Sequence, residues 1–360
     1  MMLNTLKDDA ALNFSNEQEF KNFISELATG TLWENSVLEF LSLSGESNFL
    51  TVKPEGTGLT LYSSHSSALD SNVRACAIPS VQARGEISGN GLSVLYDADK
   101  EQFAETINQF WRLFPQKKVK VLYQGDKVSA IHSNVYAPIS QEEIFNGCSE
   151  RLHRVFESVT FCEAYWDWNL TLTKYTIKDK ILENAYSQIM GTSSEINAQV
   201  AISTSDTSLS AVNIVPQLLV DRVNVPLGNN ISVVHKGNVN ADTVLDKLAG
   251  LFNNFNAAFK SLGELNGVKI ENMKNCFIKS CTALKLPQKT SSEAAEQLSN
   301  VPCTACDVYV ELCKLADKIG GSKQYRLQTE EKISKALSWR VGTWRNYDIS
   351  GVVAWNAKDE

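Results

Sequence analysis

Lys118-Val-Lys-Val-Leu-Tyr-Gln124, then Gly125-Asp126, then Lys127-Val-Ser-Ala-Ile-His-Ser133 alternates apolar and polar side chains on either side of a short polar turn. That pattern predicts an antiparallel hairpin, because side chains at every second position share one face of a sheet. A second hairpin is predicted from Ala198-Gln-Val-Ala-Ile-Ser-Thr204 and Ser208-Leu-Ser-Ala-Val-Asn-Ile-Val215, joined around Ser205-Asp-Thr207. Thr160 to Thr176 is β-prone and aromatic and reads as two strands or one bent strand. Ile231 to His235 adds another, and residues 45–95, rich in Ser and Gly, read as short strands and loops.

Helical spacing appears elsewhere. Phe20, Phe23, Ile24 and Leu27 recur at three and four residues, and the same pattern continues from Trp33 to Phe40, so residues 15–45 read as two helical pieces. Asp97–Phe114 is amphipathic and ends at Pro115, and Gln141–Val155 is helical. Lys178–Ile189 reads as a further helix. From Asn240 onward the texture is helical, with segments at 241–262, 272–284, 291–298, 303–319 and 328–339 separated by Gly, Pro and Ser. The expected class is α+β. It comprises an N-terminal helical segment (1–44), a mixed, largely antiparallel β-rich core with hairpins (45–239), and a helical C-terminal region (240–360).

The chain has 360 residues and a net charge of −7. Residues 1–150 carry 11 basic and 19 acidic side chains, and residues 259–360 carry 15 and 12. An acidic N-terminal part joined to a mildly basic C-terminal part is compatible with nucleic-acid contact by the latter. No apolar run is long enough to span a membrane, and the first residues have no secretory pattern. The eight Cys are therefore expected as reduced thiols in a cytoplasmic protein. Gly85-Glu-Ile-Ser-Gly-Asn-Gly91 does not match a dinucleotide fingerprint, and no phosphate-loop Lys motif is present. No cofactor is expected.

Three constellations carry chemistry. Cys303-Thr-Ala-Cys306, with Cys276 and Cys281 upstream, has zinc-like spacing, but it falls at a helix start after Pro302, where the thiols fit core packing. His132 and His235 each end a predicted strand, and Asp206 lies in the Ser203–Ser208 turn; together they would form a metal- or His-dependent catalytic site. The alternative is that these polar groups satisfy the turn backbone. Finally, Lys335–Trp355 holds three Trp, one Tyr and two Arg. Lys332, Lys335, Arg340 and Arg345 interleave with Trp339, Trp344 and Tyr347, either as a phosphate-and-stacking strip or as a tail whose Trp rings dock on the core. Trp166 and Trp168 share a strand face and pose the same choice.

Four blocks, Val128–Ile139, Ile202–Val212, Val234–Gly237 and Trp344–Trp355, resemble in order and spacing the phage- and plasmid-borne proteins grouped as domain-of-unknown-function family 932. The resemblance covers roughly residues 70–240 and the tail. It implies a mobile-element origin, among replication, recombination and antirestriction functions, and brings no catalytic residue with it. The leading expectation is a non-enzymatic nucleic-acid-binding protein, oligomeric, acting on single-stranded DNA in recombination or annealing. Two rivals are a counter-defence protein that binds a host protein through its acidic part, and an enzyme built on His132, His235 and Asp206.

Overall fold

The computed structural model describes residues 2–45, 57–64, 70–86, 90–190, 196–351 and 353. The first elements are β1 (Ala11–Phe14), α1 (Glu17–Thr29), β2 (Thr31–Val37) and β3 (Leu41–Ser44). β4 (Thr60–Ser63) and β5 (Ser71–Val73) lead into α2 (Ile78–Arg84), α3 (Asn90–Ala98) and α4 (Lys100–Arg112). The central stretch runs β6 (Lys118–Gln124), β7 (Lys127–Ser133), α5 (Gln141–Val155), β8 (Ser158–Asp167), β9 (Thr171–Lys178) and α6 (Lys180–Met190). β10 (Ile196–Thr204), β11 (Val212–Val220), β12 (Val223–Pro226) and β13 (Ile231–Val233) complete the strand-rich part. The rest is α7 (Ala241–Lys247), α8 (Leu251–Asn266), β14 (Lys269–Ile270), α9 (Met273–Ala283), α10 (Gln288–Glu296), β15 (Cys303–Thr304), α11 (Ala305–Lys318), α12 (Lys323–Ser334) and α13 (Val341–Tyr347).

The class is mixed α+β with antiparallel sheets. One sheet has the order β1-β8-β9-β10-β11-β12, with β13 also on β11; the other has the order β2-β6-β7-β5-β4-β3, in which only β5 and β7 pair in parallel. Both predicted hairpins form. Gly125, at φ +67°, turns β6 into β7, a backbone geometry that a side chain resists. α5 begins where Ser140 accepts the Glu143 N–H, with Glu142 and Glu143 in its first turn and His153 and Arg154 in its last, matching the helix dipole at both ends.

The N-terminal segment differs from expectation. Only α1 is an α-helix there. β1 pairs with β8 in one sheet, and β2 and β3 belong to the other. α1 stops at Gly30, where a Cβ would come within 2.5 Å of Leu3 Cδ1. Beyond it, Thr31–Val37 pairs residue for residue with β6, from Thr31 opposite Gln124 to Val37 opposite Lys118. Those ladder bonds override the helical spacing of the side chains.

The buried side chains form two clusters. One lies under the six-stranded sheet with α2, α3 and α4 (Val73, Phe103, Ile107, Trp111, Val121, Ile131). The larger one joins the seven-stranded sheet to α1, α5 and all of the C-terminal helices (Phe20, Trp166, Ile202, Phe255, Tyr309, Trp344). The helices after residue 240 thus share their core with β1 and β8–β13, and the Tyr309 hydroxyl donates to the Pro226 carbonyl. Trp166 and Trp168 are core residues, edge to face at 4.7 Å. The helix expected over 241–262 is interrupted by a 3-10 turn at Leu248–Gly250, and α13 appears where none was expected. Of the Trp344–Trp355 block, positions 352, 354 and 355 fall outside the described residues. No described helix is long and apolar enough to cross a membrane.

Candidate functional site

The loop from β10 to β11 is polar yet buried from Thr204 to Thr207. Buried polar backbone must find partners, and here two histidines and a tyrosine supply them. His132, at the end of β7, places Nε2 2.7 Å from the Asp206 carbonyl, which can only accept; Nδ1 is then the acceptor for the Ser208 hydroxyl at 2.9 Å. His235 donates from Nδ1 to the Ala137 carbonyl at 3.2 Å, leaving Nε2 to accept from Thr204 Oγ1 at 3.2 Å. Tyr136 stacks against both rings, 3.9 Å and 7° from His132 and 5.1 Å and 5° from His235. Its hydroxyl is shared between the Ser205 and Asp206 carbonyls, each at 3.4 Å. Trp33, from β2, lies 5.3 Å from Tyr136 at 25°. The rings thus tie the two sheets together through one loop.

His132, His235 and Asp206 therefore lie together, as a shared site requires. Both nitrogens of each imidazole are engaged: in each ring one N–H is held by a backbone carbonyl and the other nitrogen accepts a hydroxyl proton, from Ser208 on His132 and from Thr204 on His235. Burial pushes the His132 pKa from 6.5 down to about 4 and lowers that of His235. Both rings are neutral clamps on the loop at neutral pH.

The Asp206 carboxyl makes no hydrogen bond to either imidazole among the described residues. Its Oδ2 accepts from Gln141 Nε2 at 2.6 Å, and Gln141 Oε1 accepts from Thr171 Oγ1 at 2.6 Å. Burial raises the Asp206 pKa from 3.8 to about 6, opposed by the Gln141 bond. The residue lines a cavity of 280 Å³ together with Leu27, Ala28, Trp33, Ile139 and Gln141.

The two shifts act in opposite directions on stability. As pH falls from 6.5 to 4, the unfolded chain protonates the imidazole at position 132 before the folded one does, which destabilises the fold. As pH falls from 6 to 3.8, folded Asp206 binds its proton before the unfolded chain does, which stabilises it. Each effect amounts to about 3 kcal/mol at full extent, so they largely cancel in the wild type. Asp206→Asn removes one side of the balance. The variant is expected to lose stability more steeply than wild type between pH 6.5 and 4 in urea titrations; parallel curves would refute the pairing.

The C-terminal run is organised differently from a stacking strip. Trp344 is fully buried and offers no face to a base. Trp339 is half-buried, 5.1 Å from Trp344 and 5.4 Å from Tyr347. Asp348 accepts from the Glu271 and Asn272 backbone N–H groups at 2.9 and 2.7 Å, and Asn275 Nδ2 donates to the Ile349 and Gly351 carbonyls at 2.7 and 2.8 Å. The tail is thereby fixed to the start of α9. Lys335, Arg340 and Arg345 are exposed and Lys332 is half-buried; none of the four makes an ion pair among the described residues. Cys303 is half-buried in β15, Cys306 is buried in the first turn of α11, and burial raises these thiols and those of Cys276 and Cys281 to about 12. Among the described residues no His, Cys, Asp and Glu side chains gather into a metal-holding group.

A buried charge cluster was not foreseen from the sequence. Asp8 Oδ1 accepts from Arg74 Nη1 at 3.0 Å and from Lys127 Nζ at 2.7 Å, and the Arg74 guanidinium lies 3.4 Å from the Trp168 ring centroid. Isolated charged residues in strand-prone text carry no pattern that reveals burial. Tyr136 was legible only as part of the Val128–Ile139 block, and Trp33 was read as helical. No protein-family model, curated protein or solved structure matches the chain.

Proposed function

We propose that the chain is a mobile-element, phage- or plasmid-borne nucleic-acid-binding protein, without catalytic activity, that engages single strands in recombination or annealing. One observation carries this reading. From Lys332 to Tyr347 there is no acidic side chain, and Lys332, Lys335, Arg340 and Arg345 make no ion pair among the described residues, on a tail anchored by Trp339, Trp344 and Asp348. Cations that no carboxylate neutralises, on backbone that need not be ordered on binding, favour phosphate contact. The Trp rings serve to hold the tail, so affinity rests on phosphates, with the half-buried Trp339 as the remaining stacking ring. The resemblance to the mobile-element family supports the same reading. Thr204 is fully buried, so the hydroxyl on His235 is closed to a substrate, which weighs against the enzymatic alternative at that ring.

The test is fluorescence anisotropy with labelled single- and double-stranded DNA across salt concentrations. Four phosphate contacts on a single strand give a slope of log K against log salt of about −2.8. Arg340→Ala/Arg345→Ala is expected to bring that slope to about −1.4 and to weaken binding at low salt. Flat titrations with both DNAs would refute the reading and favour a counter-defence protein whose acidic N-terminal part meets a host protein.

A further inference from the structure

The Asp206 carboxyl opens onto a cavity in which no protein cation meets it among the described residues. The side chain is largely buried, and a carboxylate partly withdrawn from water favours a cation or further donors in place of the water. Asp206 has one side-chain donor, Gln141 Nε2 on Oδ2; Oδ1 makes no hydrogen bond among the described residues and is not an enclosed atom, so it is open to the cavity. Among the described residues no Lys or Arg lines the cavity and no cation pairs with this carboxylate. The neighbouring histidines supply no charge, since burial keeps both neutral. The first turn of α5 faces the same space through Ser140 and Gln141, but its own acids, Glu142 and Glu143, offset its dipole.

The remaining walls indicate what would fit. Trp33 offers an indole, and aromatic rings attract cations. Leu27, Ala28, Pro138 and Ile139 form an apolar wall. At 280 Å³ the space is at the lower end for small-molecule sites. We infer that this cavity binds a small organic cation, an ammonium or guanidinium on a short apolar chain, with Asp206 as its counter-ion and Trp33 as its aromatic wall. A guanidinium or ammonium N–H donates to Oδ1, and the hydrocarbon part covers Leu27 and Ile139. A neutral ligand would leave the carboxylate uncompensated, and a phosphate would be repelled. The inference stands apart from the nucleic-acid reading: the tail and its cations take no part in it, and either can fail alone.

Isothermal titration of the full chain with agmatine, n-butylammonium and n-butanol tests it. The two cations are expected to bind at least tenfold more tightly than the neutral alcohol. Asp206→Asn keeps the side chain's shape and should lower cation affinity by tenfold or more. Ala28→Phe, at a half-buried position near the end of α1, leaves the loop sequence unchanged, fills the cavity and should abolish binding, with circular dichroism checking that both variants fold. If Asp206→Asn does not fold, Ala28→Phe decides. Equal binding of butanol and butylammonium, no binding of either cation, or cation binding that survives Ala28→Phe would overturn the proposal.

Discussion

Asp8→Ala is expected to remove about 3–5 kcal/mol of stability, because it withdraws the anion at the centre of a buried pair of cations. Arg74 is 0% exposed and Lys127 1%. The Arg74 guanidinium is held by Asp8, by the Gln124 carbonyl at 3.1 Å and by the Trp168 ring. Burial already lowers the Arg74 pKa, and the charge of Asp8 is the largest influence opposing that shift. With the carboxylate gone, Arg74 keeps the Gln124 carbonyl, the Trp168 ring and the smaller influences of Cys76 and Asp126. The effect also reaches across the fold. Asp8 precedes β1 of the seven-stranded sheet, Arg74 and Lys127 belong to the six-stranded one, and Trp168 Nε1 donates to the Lys7 carbonyl at 2.7 Å. Loss of the anion therefore loosens the contact between the sheets as well as exposing two charges to an apolar environment.

A control separates charge from packing. Asp8→Leu/Arg74→Met/Lys127→Met removes all three charges at similar volume, and such replacements are often neutral or stabilising. Guanidinium denaturation should place this triple variant well above Asp8→Ala. If Asp8→Ala loses less than about 1 kcal/mol, the level of a surface pair, the cluster is not the buried junction described here. The same outcome would follow if water reached Arg74 freely, which its complete burial argues against.

The contrast with what the sequence revealed is instructive at this junction. Both hairpins and α5 were legible because their signals are local: alternation around Gly125-Asp126, and a Ser140 cap followed by two acids. β2 was misread because Phe20 to Phe40 keeps helical spacing throughout, whereas the strand is set by pairing with β6 nearly ninety positions away. The domain boundary expected at residue 240 marks a real change in local texture. It does not mark a change of core, since α8 and α11 pack on the same sheet as α1 and α5. Of the site, the Ser203–Ser208 turn and both histidines were visible as motifs. Their convergence with Asp206 follows from the enzymatic expectation, whereas the part of Tyr136, one ring against both imidazoles, carries no local signal. The basic run was visible too, but burial of Trp344 cannot be read from a Trp beside an Arg.

Trp344→Ala should cost about 3–5 kcal/mol, the range for deleting a large aromatic side chain from a packed core. The indole is 0% exposed, packs on Trp339, and belongs to a helix that docks on α9. Its removal leaves a cavity that the short α13 cannot close without breaking the Asp348 bonds to Glu271 and Asn272. The indole Nε1 has no partner in its buried position, so part of the stabilisation from burial is offset by an unmade hydrogen bond. Trp344→Phe removes that unpaired donor and should cost clearly less than Trp344→Ala. The two variants also separate folding from binding. If the tail presents Arg340 and Arg345 to phosphates, Trp344→Ala should weaken single-strand affinity even at temperatures where the rest of the chain stays folded, because the cations lose their fixed backbone. Trp344→Phe should leave affinity near wild type. Equal DNA binding by all three proteins would mean that the rigid tail is a structural lock alone, and the phosphate contacts would have to be sought on another face.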